Sequence, residues 1–296
     1  MRIAALVATV VLGLAAGACT VRVDSEEHTA REEKRFKVAA EPEVRVATFD
    51  GSIEVHSWDR DEVLVEVEKR GPDEEALKSI RVRAEQQGNR IEVDVTRPSG
   101  RDNFVGIGIH IGTAARLTVT VPRRVVLQVR SGDGSIRADR LEGRIELRTS
   151  DGSVRADEVK GTLDVETHDG SITADEVDGE ATLSTRDGGI NVSGRLSILK
   201  AKTGDGSVTI RADRGSVMAA GWSIITEDGA VAVYLPEPFA AEVDAQTDDG
   251  RVRSDFELEA EREDGHRRRW VRGKIGGGGH QLRIRTGDGS ISLRNW

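Results

Sequence analysis

Residues 149–172, TSDGSVRADEVKGTLDVETHDGSI, contain the repeating unit that decides the fold of this 296-residue chain. The unit reads apolar, any, apolar, any, Thr or Ser, any, Asp, Gly, any, apolar. It occurs nine times, with its aspartate at Asp50, Asp133, Asp151, Asp169, Asp187, Asp205, Asp228, Asp249 and Asp288. From Asp133 to Asp205 the aspartates are 18 residues apart at every step. A fixed period of this kind is typical of stacked structural units.

Alternating side chains inside one unit predict two short strands. The inward-facing positions of residues 151–168 are Val154, Ala156, Val159, Leu163, Val165 and Thr167. Turns are expected at Asp157-Glu158, at Lys160-Gly161 and at each Asp-Gly corner. We expect Gly to supply a positive φ at these corners and Asp to bond to the backbone near it.

All units run in the same direction, so each strand is expected to pair in parallel with its equivalent in the next unit. The predicted fold is an all-β, single-stranded parallel β-helix, a solenoid with coils of about 18 residues. Its rise is ~4.8 Å per coil, which is the usual strand spacing. Parallel crossovers are nearly always right-handed, so a right-handed coil is predicted. The 33 glycines and the aromatic content of 3% suit many turns around a thin core.

The N-terminus predicts export. In residues 1–18, one Arg precedes an apolar run that ends in small residues, as in a signal peptide. Cys19, the only cysteine, follows this run in a context that resembles a bacterial lipobox, so we predict that it carries a lipid. Thr20 after it favours the outer membrane or cell surface. The alternative is an ordinary cleavage site, which would leave a soluble periplasmic or secreted protein.

The sequence pattern divides the rest of the chain into a polar tether and a β-helix domain. Residues 19–35 are polar and charged and are predicted to form a tether. A β-helix domain is predicted for residues 36–296. Within it, residues 36–130 are expected to form wider N-terminal coils or a cap, 131–254 regular coils, and 255–296 a hairpin insertion and the final coil.

Several segments resemble the putative-adhesin domain family of bacterial envelopes. These are residues 51–55 (GSIEV), 119–122 (VTVP) with 127–129 (LQV), the Asp-Gly-Ser-Ile coils, and 275–278 (IGGG) before 282–284 (LRI). The resemblance covers about residues 36–296. It implies a single-stranded β-helix that is often lipid-anchored or exported, with no known ligand or catalytic residue.

The aspartate ladder has two interpretations. Aspartates at equivalent corners should stack ~5 Å apart and repel one another, and Ca²⁺ would relieve that repulsion. Alternatively, each aspartate belongs to its own turn and faces solvent. We favour the turns, because a calcium loop usually brings several carboxylates to one ion. We therefore predict no metal site and no cofactor.

A basic segment near the C-terminus is the candidate partner-binding patch. It comprises Arg267, Arg268, Arg269 and Trp270. An anionic polysaccharide, lipid headgroups or a protein could bind there. In the alternative, the arginines form ion pairs with Glu257, Glu259, Glu261 and Glu263 across a turn at Asp264-Gly265. The histidines, among them His56, show no ligand spacing and are expected to be solvated.

The net charge of the chain and the regularity of its coils reduce the number of functions that it could have. Removing residues 1–18 takes away one Arg and no acid, so the formal net charge changes from −9 to −10, which argues against nucleic acid. The coils are nearly uniform, so we predict no catalytic residues. The expected protein is a membrane-anchored binding, adhesin-like or structural protein whose partner is an envelope protein or polysaccharide. The alternatives are a signalling accessory with a membrane partner and a polysaccharide-active enzyme.

Overall fold

A computed structural model describes residues 28–97, 113–260 and 269–296. In that part of the chain, 21 β-strands form one hydrogen-bonded sheet, accompanied by a single helix, α1 (Glu74–Ser79). The strands before the regular repeat are β1 (His28–Lys37), β2 (Glu43–Thr48), β3 (Ile53–Trp58), β4 (Glu62–Gly71), β5 (Arg81–Gln87), β6 (Arg90–Thr96), β7 (Ala114–Pro122) and β8 (Arg124–Ser131). The regular strands are β9 (Ile136–Arg148), β10 (Val154–Glu166), β11 (Ile172–Ser184) and β12 (Ile190–Lys202). The remaining strands are β13 (Val208–Ala212), β14 (Trp222–Ile225), β15 (Val231–Leu235), β16 (Ala241–Thr247), β17 (Val252–Ser254), β18 (Glu259–Ala260), β19 (Trp270–Ile275), β20 (Gln281–Thr286) and β21 (Ile291–Asn295).

The regular strands stack in parallel, so the sequence repeat becomes a structural repeat. Strand β10 pairs in parallel with both β9 and β11, and Val154 lies opposite Ile136 and Ile172, each 18 residues away. This register places equivalent side chains of successive coils in columns. The all-β, solenoid-like fold predicted from the sequence is confirmed.

Each regular strand is continuous, which corrects the prediction of two short strands separated by turns. Strands β9 to β12 are 13 residues long. In β10 the chain bends without leaving the sheet, because Glu158 has a φ of 54° and Gly161 a φ of 116°. The two halves of the strand therefore belong to two ladders. We call the strands that leave an Asp-Gly corner the downstream ladder and those that lead into one the upstream ladder.

The core is one continuous column, as the alternation predicted. The positions four before and three after each corner aspartate are all buried apolar residues, for example Val165 and Ile172 at 1% and 0% exposure. The hydroxyl two residues before each aspartate is buried as well, at Thr48, Ser131, Thr149, Thr167, Thr185, Thr203, Thr226, Thr247 and Thr286. The alternation of positions along each strand therefore predicts correctly which side chains are buried.

The buried hydroxyls close the corners, a role that the sequence analysis gave to the aspartates. The Thr185 hydroxyl donates to the carbonyls of His168 and Gly170 in the preceding coil, each at 2.9 Å. The same oxygen accepts from the Gly188 N–H at 3.3 Å. Thr203 and Thr226 repeat this arrangement one and two coils further on. The hydroxyl makes these bonds because it points into the core, where the backbone N–H and carbonyl groups cannot bond to water.

Replacing Thr185 with valine should therefore lower the free energy of unfolding by about 1–3 kcal/mol, because the buried Gly188 N–H would lose its acceptor. Denaturant titration would measure the loss. The matched control is Thr182→Val, three residues earlier on β11, where the threonine side chain is exposed. Equal stability of the two variants would contradict the role given to the buried hydroxyls.

Glycine is needed at most Asp-Gly corners for close approach, and the predicted positive φ is found only at Gly51 among the nine. A Cβ built on Gly170 would lie 2.0 Å from the Gly152 carbonyl oxygen of the preceding coil. The same contact recurs at 2.1 Å for Gly152 and Gly188. Stacked corners thus bring backbone against backbone, and a side chain has no room.

The order of coils at the two ends departs from the sequence order. Strands β2 and β3 lie between the coil of β6 and β7 and the coil of β8 and β9. At the other end, β20 and β21 lie between β14 and β15 on one side and β16 and β17 on the other. The coil at Asp288 is therefore last in sequence but not in space. Both end segments are paired on two sides, which protects them from fraying.

Antiparallel strands border these end coils. Strand β4 pairs with β1 and β7, and β5 with β6, while β19 pairs with β16 and β18. Strand β1 corrects the predicted tether: residues 28–35 belong to the sheet, with Arg31 and Lys34 opposite Glu68 and Val65. Residues 1–27 lie outside the described part of the chain.

Candidate functional site

The outward face of the downstream ladder carries an open groove of about 590 Å³, which we call the flank groove. Four neighbouring strands, β3, β9, β10 and β11, supply its side chains, including those at the bends within β9, β10 and β11. All of them are ionisable: Glu54, His56, Arg137, Asp139, Arg140, Arg155, Asp157, Glu158, Asp175 and Glu176. The parallel register aligns them, because the position six residues after each corner aspartate forms one column.

His56 begins this column. Its Nδ1 lies 2.6 Å from Asp139 Oδ1, and its Nε2 lies 3.8 Å from Glu54 Oε2. Asp139 also accepts from Arg140 Nε at 3.0 Å. The expectation of a solvated His56 is therefore corrected: β3 neighbours β9 in space, although His56 and Asp139 are 83 residues apart in sequence.

Arginines bridge the next carboxylates of the column. Arg155 contacts Asp157 at 2.9 Å and Asp175 at 3.0 Å, and so links two coils. Arg137 reaches Asp157 at 3.4 Å. The hydrogen bond that Arg155 donates to Asp157, and then the negative charge of Asp157, raise the pKa of the Arg155 guanidinium above its ordinary value. The arginines thus offset the repulsion between stacked aspartates, and charges of both signs line the groove.

This arrangement suits recognition of a polar ligand. Asp139, Asp157 and Asp175 each lie against a basic side chain. The geometry offers an extended set of hydrogen-bond donors and acceptors along four neighbouring strands.

The predicted basic patch is described only in part. Arg267 and Arg268 lie outside the described residues, and so does the Asp264-Gly265 turn. Arg269 is exposed, and its carbonyl accepts from the Thr247 N–H at 2.9 Å. The Trp270 ring is half-buried, 5.4 Å from the Arg272 guanidinium. This segment lies on the upstream ladder and is not part of the flank groove.

Asp244 binds two of the arginines near this segment. It accepts from Arg285 at 2.6 Å and from Arg272 at 3.2 Å. Burial alone would raise the pKa of Asp244, but these two hydrogen bonds outweigh it and hold the pKa below its ordinary 3.8. The predicted ion pairs of the glutamates with Arg267 and Arg268 stay a prediction, because these arginines lie outside the described residues. In the backbone register, Glu259 lies opposite Arg272.

The corner aspartates point to solvent. All are exposed except Asp50, which is half-buried. Over residues 28–97, 113–260 and 269–296, no group of three or more His, Cys, Asp or Glu is placed to hold a metal ion.

We expect a chelator to leave the melting temperature unchanged and millimolar Ca²⁺ to raise it little. The corners are closed by threonine hydroxyls, and a ligand stabilises only in proportion to the logarithm of its saturation. Thermal unfolding with and without Ca²⁺ would test this. A rise of several degrees that is abolished by Asp151→Asn together with Asp169→Asn would make the ladder a metal site.

The groove residues were only partly visible in the sequence. Asp157 and Asp175 stand out as acids that recur away from the corners. His56 and Glu54 gave no such signal, because the coil that holds them is separated from β9 by residues 59–135. Aligning all nine units and reading the sixth position after each aspartate would have placed His56 in the same column as Asp139, without showing that the two are neighbours.

These features define a solenoid-like all-β protein with an open, charged flank. The chain belongs to the Toastrack DUF4097 family, which it matches over residues 43–294. This confirms the resemblance to the putative-adhesin domain family. A search of curated proteins found no match. In the described part of the chain, no helix has the length and apolar character needed to cross a membrane.

Several solved structures are similar to this chain at low sequence identity. One is a putative adhesin from Parabacteroides merdae, with 8% identity, a TM-score of 0.47 and coverage of 89% of this chain and 95% of that one. Another is a putative lipid binding protein from Parabacteroides distasonis, with 15% identity, a TM-score of 0.42 and coverage of 89% and 96%. A third is a putative adhesin from Bacteroides fragilis, with 14% identity, a TM-score of 0.39 and coverage of 90% and 97%.

Proposed function

We propose that this protein is an exported, lipid-anchored binding protein of a bacterial cell envelope, adhesin-like and non-catalytic. The observation that carries the proposal is the flank groove, which presents ten ionisable side chains on the outside of four neighbouring strands. An envelope protein or polysaccharide is the proposed partner. The groove is open and elongated along the coil axis. It therefore suits a polysaccharide chain or the edge of a protein better than a small enclosed molecule.

Binding is favoured over catalysis by the pairing of charges. Arg155 is held between Asp157 and Asp175, so its position is fixed before any ligand arrives. Fixed donors and acceptors reduce the ordering cost of binding. Such pairs also set specificity, because a ligand must match both signs of charge.

The test compares retention of envelope material by immobilised protein. We expect the wild type to retain a component that Arg137→Ala with Arg155→Ala releases about tenfold more readily, equivalent to about 1.4 kcal/mol. Protease and periodate treatment of the retained material distinguish protein from polysaccharide. Arg83→Ala is the matched control, because Arg83 forms an exposed ion pair with Glu85 on β5. Wild-type retention no greater than that of an unrelated protein would refute the proposal.

The anchor has its own test. Cys19→Ala should move the protein from the membrane fraction to the soluble fraction, because a lipid on Cys19 supplies the membrane affinity. Mass spectrometry of the mature N-terminus should find the lipid on the wild type. Unchanged membrane association of the variant, together with an N-terminus free of lipid, would contradict the anchor.

A further inference from the structure

A second groove continues the flank beyond Glu176, which lines both grooves. Its volume is about 630 Å³, within the range of about 300–1,000 Å³ that is usual for ligand sites. We call it the Trp296 groove. Its lining residues are Glu176, Val177, Asp178, Gly194, Arg195, Asp213, Arg214 and Trp296.

Exposed aromatic surface is concentrated here. The chain contains four Trp, one Tyr and five Phe. Within the described residues, the aromatic side chains that count as exposed are Trp296 at 41% and Tyr234 at 37%. Tyr234 lies opposite Arg211 in the strand register, and the Arg211 guanidinium lies 3.7 Å from the centre of the Trp296 ring. Exposed apolar surface of this kind in a concave place usually marks a binding site.

The Trp296 ring is held in position before any ligand binds. Its Nε1–H donates to the Ala212 carbonyl at 3.1 Å, and its backbone N–H donates to the Leu235 carbonyl at 3.3 Å. Arg211 covers one face of the ring and does not line the groove. Trp296 itself lines the groove and is 41% exposed, so part of its side chain is open to a ligand.

Polar groups surround this ring. Arg195 pairs with Asp178. In the part of the chain that the structure describes, the side chains of Glu176, Asp213 and Arg214 make no hydrogen bond, ion pair or ring contact. These three groups offer two acceptors and one donor toward the same groove. A ligand there meets both kinds of hydrogen-bonding partner beside an apolar ring.

The groove lies where the repeat is interrupted. The step from Asp205 to Asp228 is 23 residues instead of 18, and the extra residues form the segment between β13 and β14 that carries Asp213 and Arg214. Ser216 fixes this segment: it is buried, accepts from the Leu196 N–H at 3.1 Å and donates to the Gly194 carbonyl at 3.3 Å. A break in a regular pattern that is firmly supported is typical of a functional site.

We propose that the Trp296 groove binds a neutral saccharide chain, an inference that rests on the binding function proposed above and names its ligand class. A sugar ring has an apolar C–H face that stacks on an aromatic ring, and hydroxyls that both donate and accept. The lining side chains include three acids, Glu176, Asp178 and Asp213, and two arginines, Arg195 and Arg214, so the site has no positive net charge to attract an anionic polymer. The acidic chain as a whole would repel one.

Calorimetric titration with neutral hexasaccharides of glucose, mannose, galactose and N-acetylglucosamine tests the proposal. We expect the wild type to bind at least one of them. Trp296→Ala should weaken that binding about tenfold, as expected for loss of a stacked ring. Trp296→Phe should retain most of it, although the hydrogen bond to Ala212 is lost. Arg214→Ala should weaken binding by about threefold. Trp58→Ala, which removes a half-buried tryptophan that lines neither groove, should bind like the wild type.

Either of two results would contradict the proposal that the Trp296 groove binds a neutral saccharide. One is a wild type that binds none of these sugars at 10 mM concentration, roughly the weakest affinity of interest. The other is Trp296→Ala with wild-type affinity and an unchanged melting temperature. Binding of acidic oligosaccharides alone would refute the neutral class. Retention of envelope material without binding of these sugars would refute this inference and leave the proposed function intact, whereas no retention at all would refute the function itself.

Discussion

Replacing Gly170 with alanine is expected to lower the free energy of unfolding by about 3 kcal/mol or more. The new Cβ would lie 2.0 Å from the Gly152 carbonyl oxygen, 2.5 Å from its carbon and 2.9 Å from the Ser153 nitrogen. These are backbone atoms of the preceding coil, so no side chain can move aside and the two coils must separate locally. The melting temperature should fall by roughly 10 °C for a domain of this size.

Gly277→Ala is the matched control, because a Cβ at that position meets nothing within 4 Å. Its stability should change by less than about 0.5 kcal/mol, as for ordinary surface substitutions. If Gly170→Ala proves as stable as Gly277→Ala, the stacked corners are further apart than the structure places them.

Replacing Leu163 with aspartate is expected to abolish folding. Leu163 has 0% exposure in the middle of the regular coils, and its register partners Ile145 and Ala181 are buried apolar residues of the neighbouring coils. The change removes about 2–3 kcal/mol of hydrophobic burial and adds several kcal/mol for an unpaired buried charge. The sum approaches the total stability of an ordinary domain, about 5–15 kcal/mol. Circular dichroism and gel filtration would detect an unfolded or aggregated product.

Two further variants make this result interpretable. Leu163→Ala should fold and lose about 2–5 kcal/mol, which measures the core contribution without a charge. Val217→Asp introduces the same carboxylate at a position with 72% exposure and should be close to neutral. A folded Leu163→Asp with an unchanged melting temperature would mean that this column is not the core.

Much of the local structure follows from the sequence because it depends on parity and spacing. Side chains alternate across a strand, so Leu163, Val165 and Thr167 necessarily share a face, and all three are buried. The chemistry of the corners was less predictable. Asp and Gly looked like a turn pair with a left-handed glycine, but Thr185 closes the corner and Gly170 is needed for close approach between coils.

Only those residues of the flank groove that recur from unit to unit could be predicted from the sequence. Asp157 and Asp175 occupy the same place in consecutive units, so their stacking follows from the period. The contact of His56 with Asp139 spans 83 residues, and no local pattern specifies it. The Trp296 groove joins Trp296 to Asp213 and Arg214 in the same way, through the position of β21 beside β15.

The sequence by itself determined the all-β coil, the identity of its buried column and the 18-residue register of β9 to β11. Only the tertiary structure decided which coils are neighbours at the two ends. All nine units present the same inward parity and the same corner, so any of them can stack on any other without loss of local fit. The choice depends on burying both edges of the segments at Asp50 and Asp288, a requirement of the whole sheet that no single unit expresses.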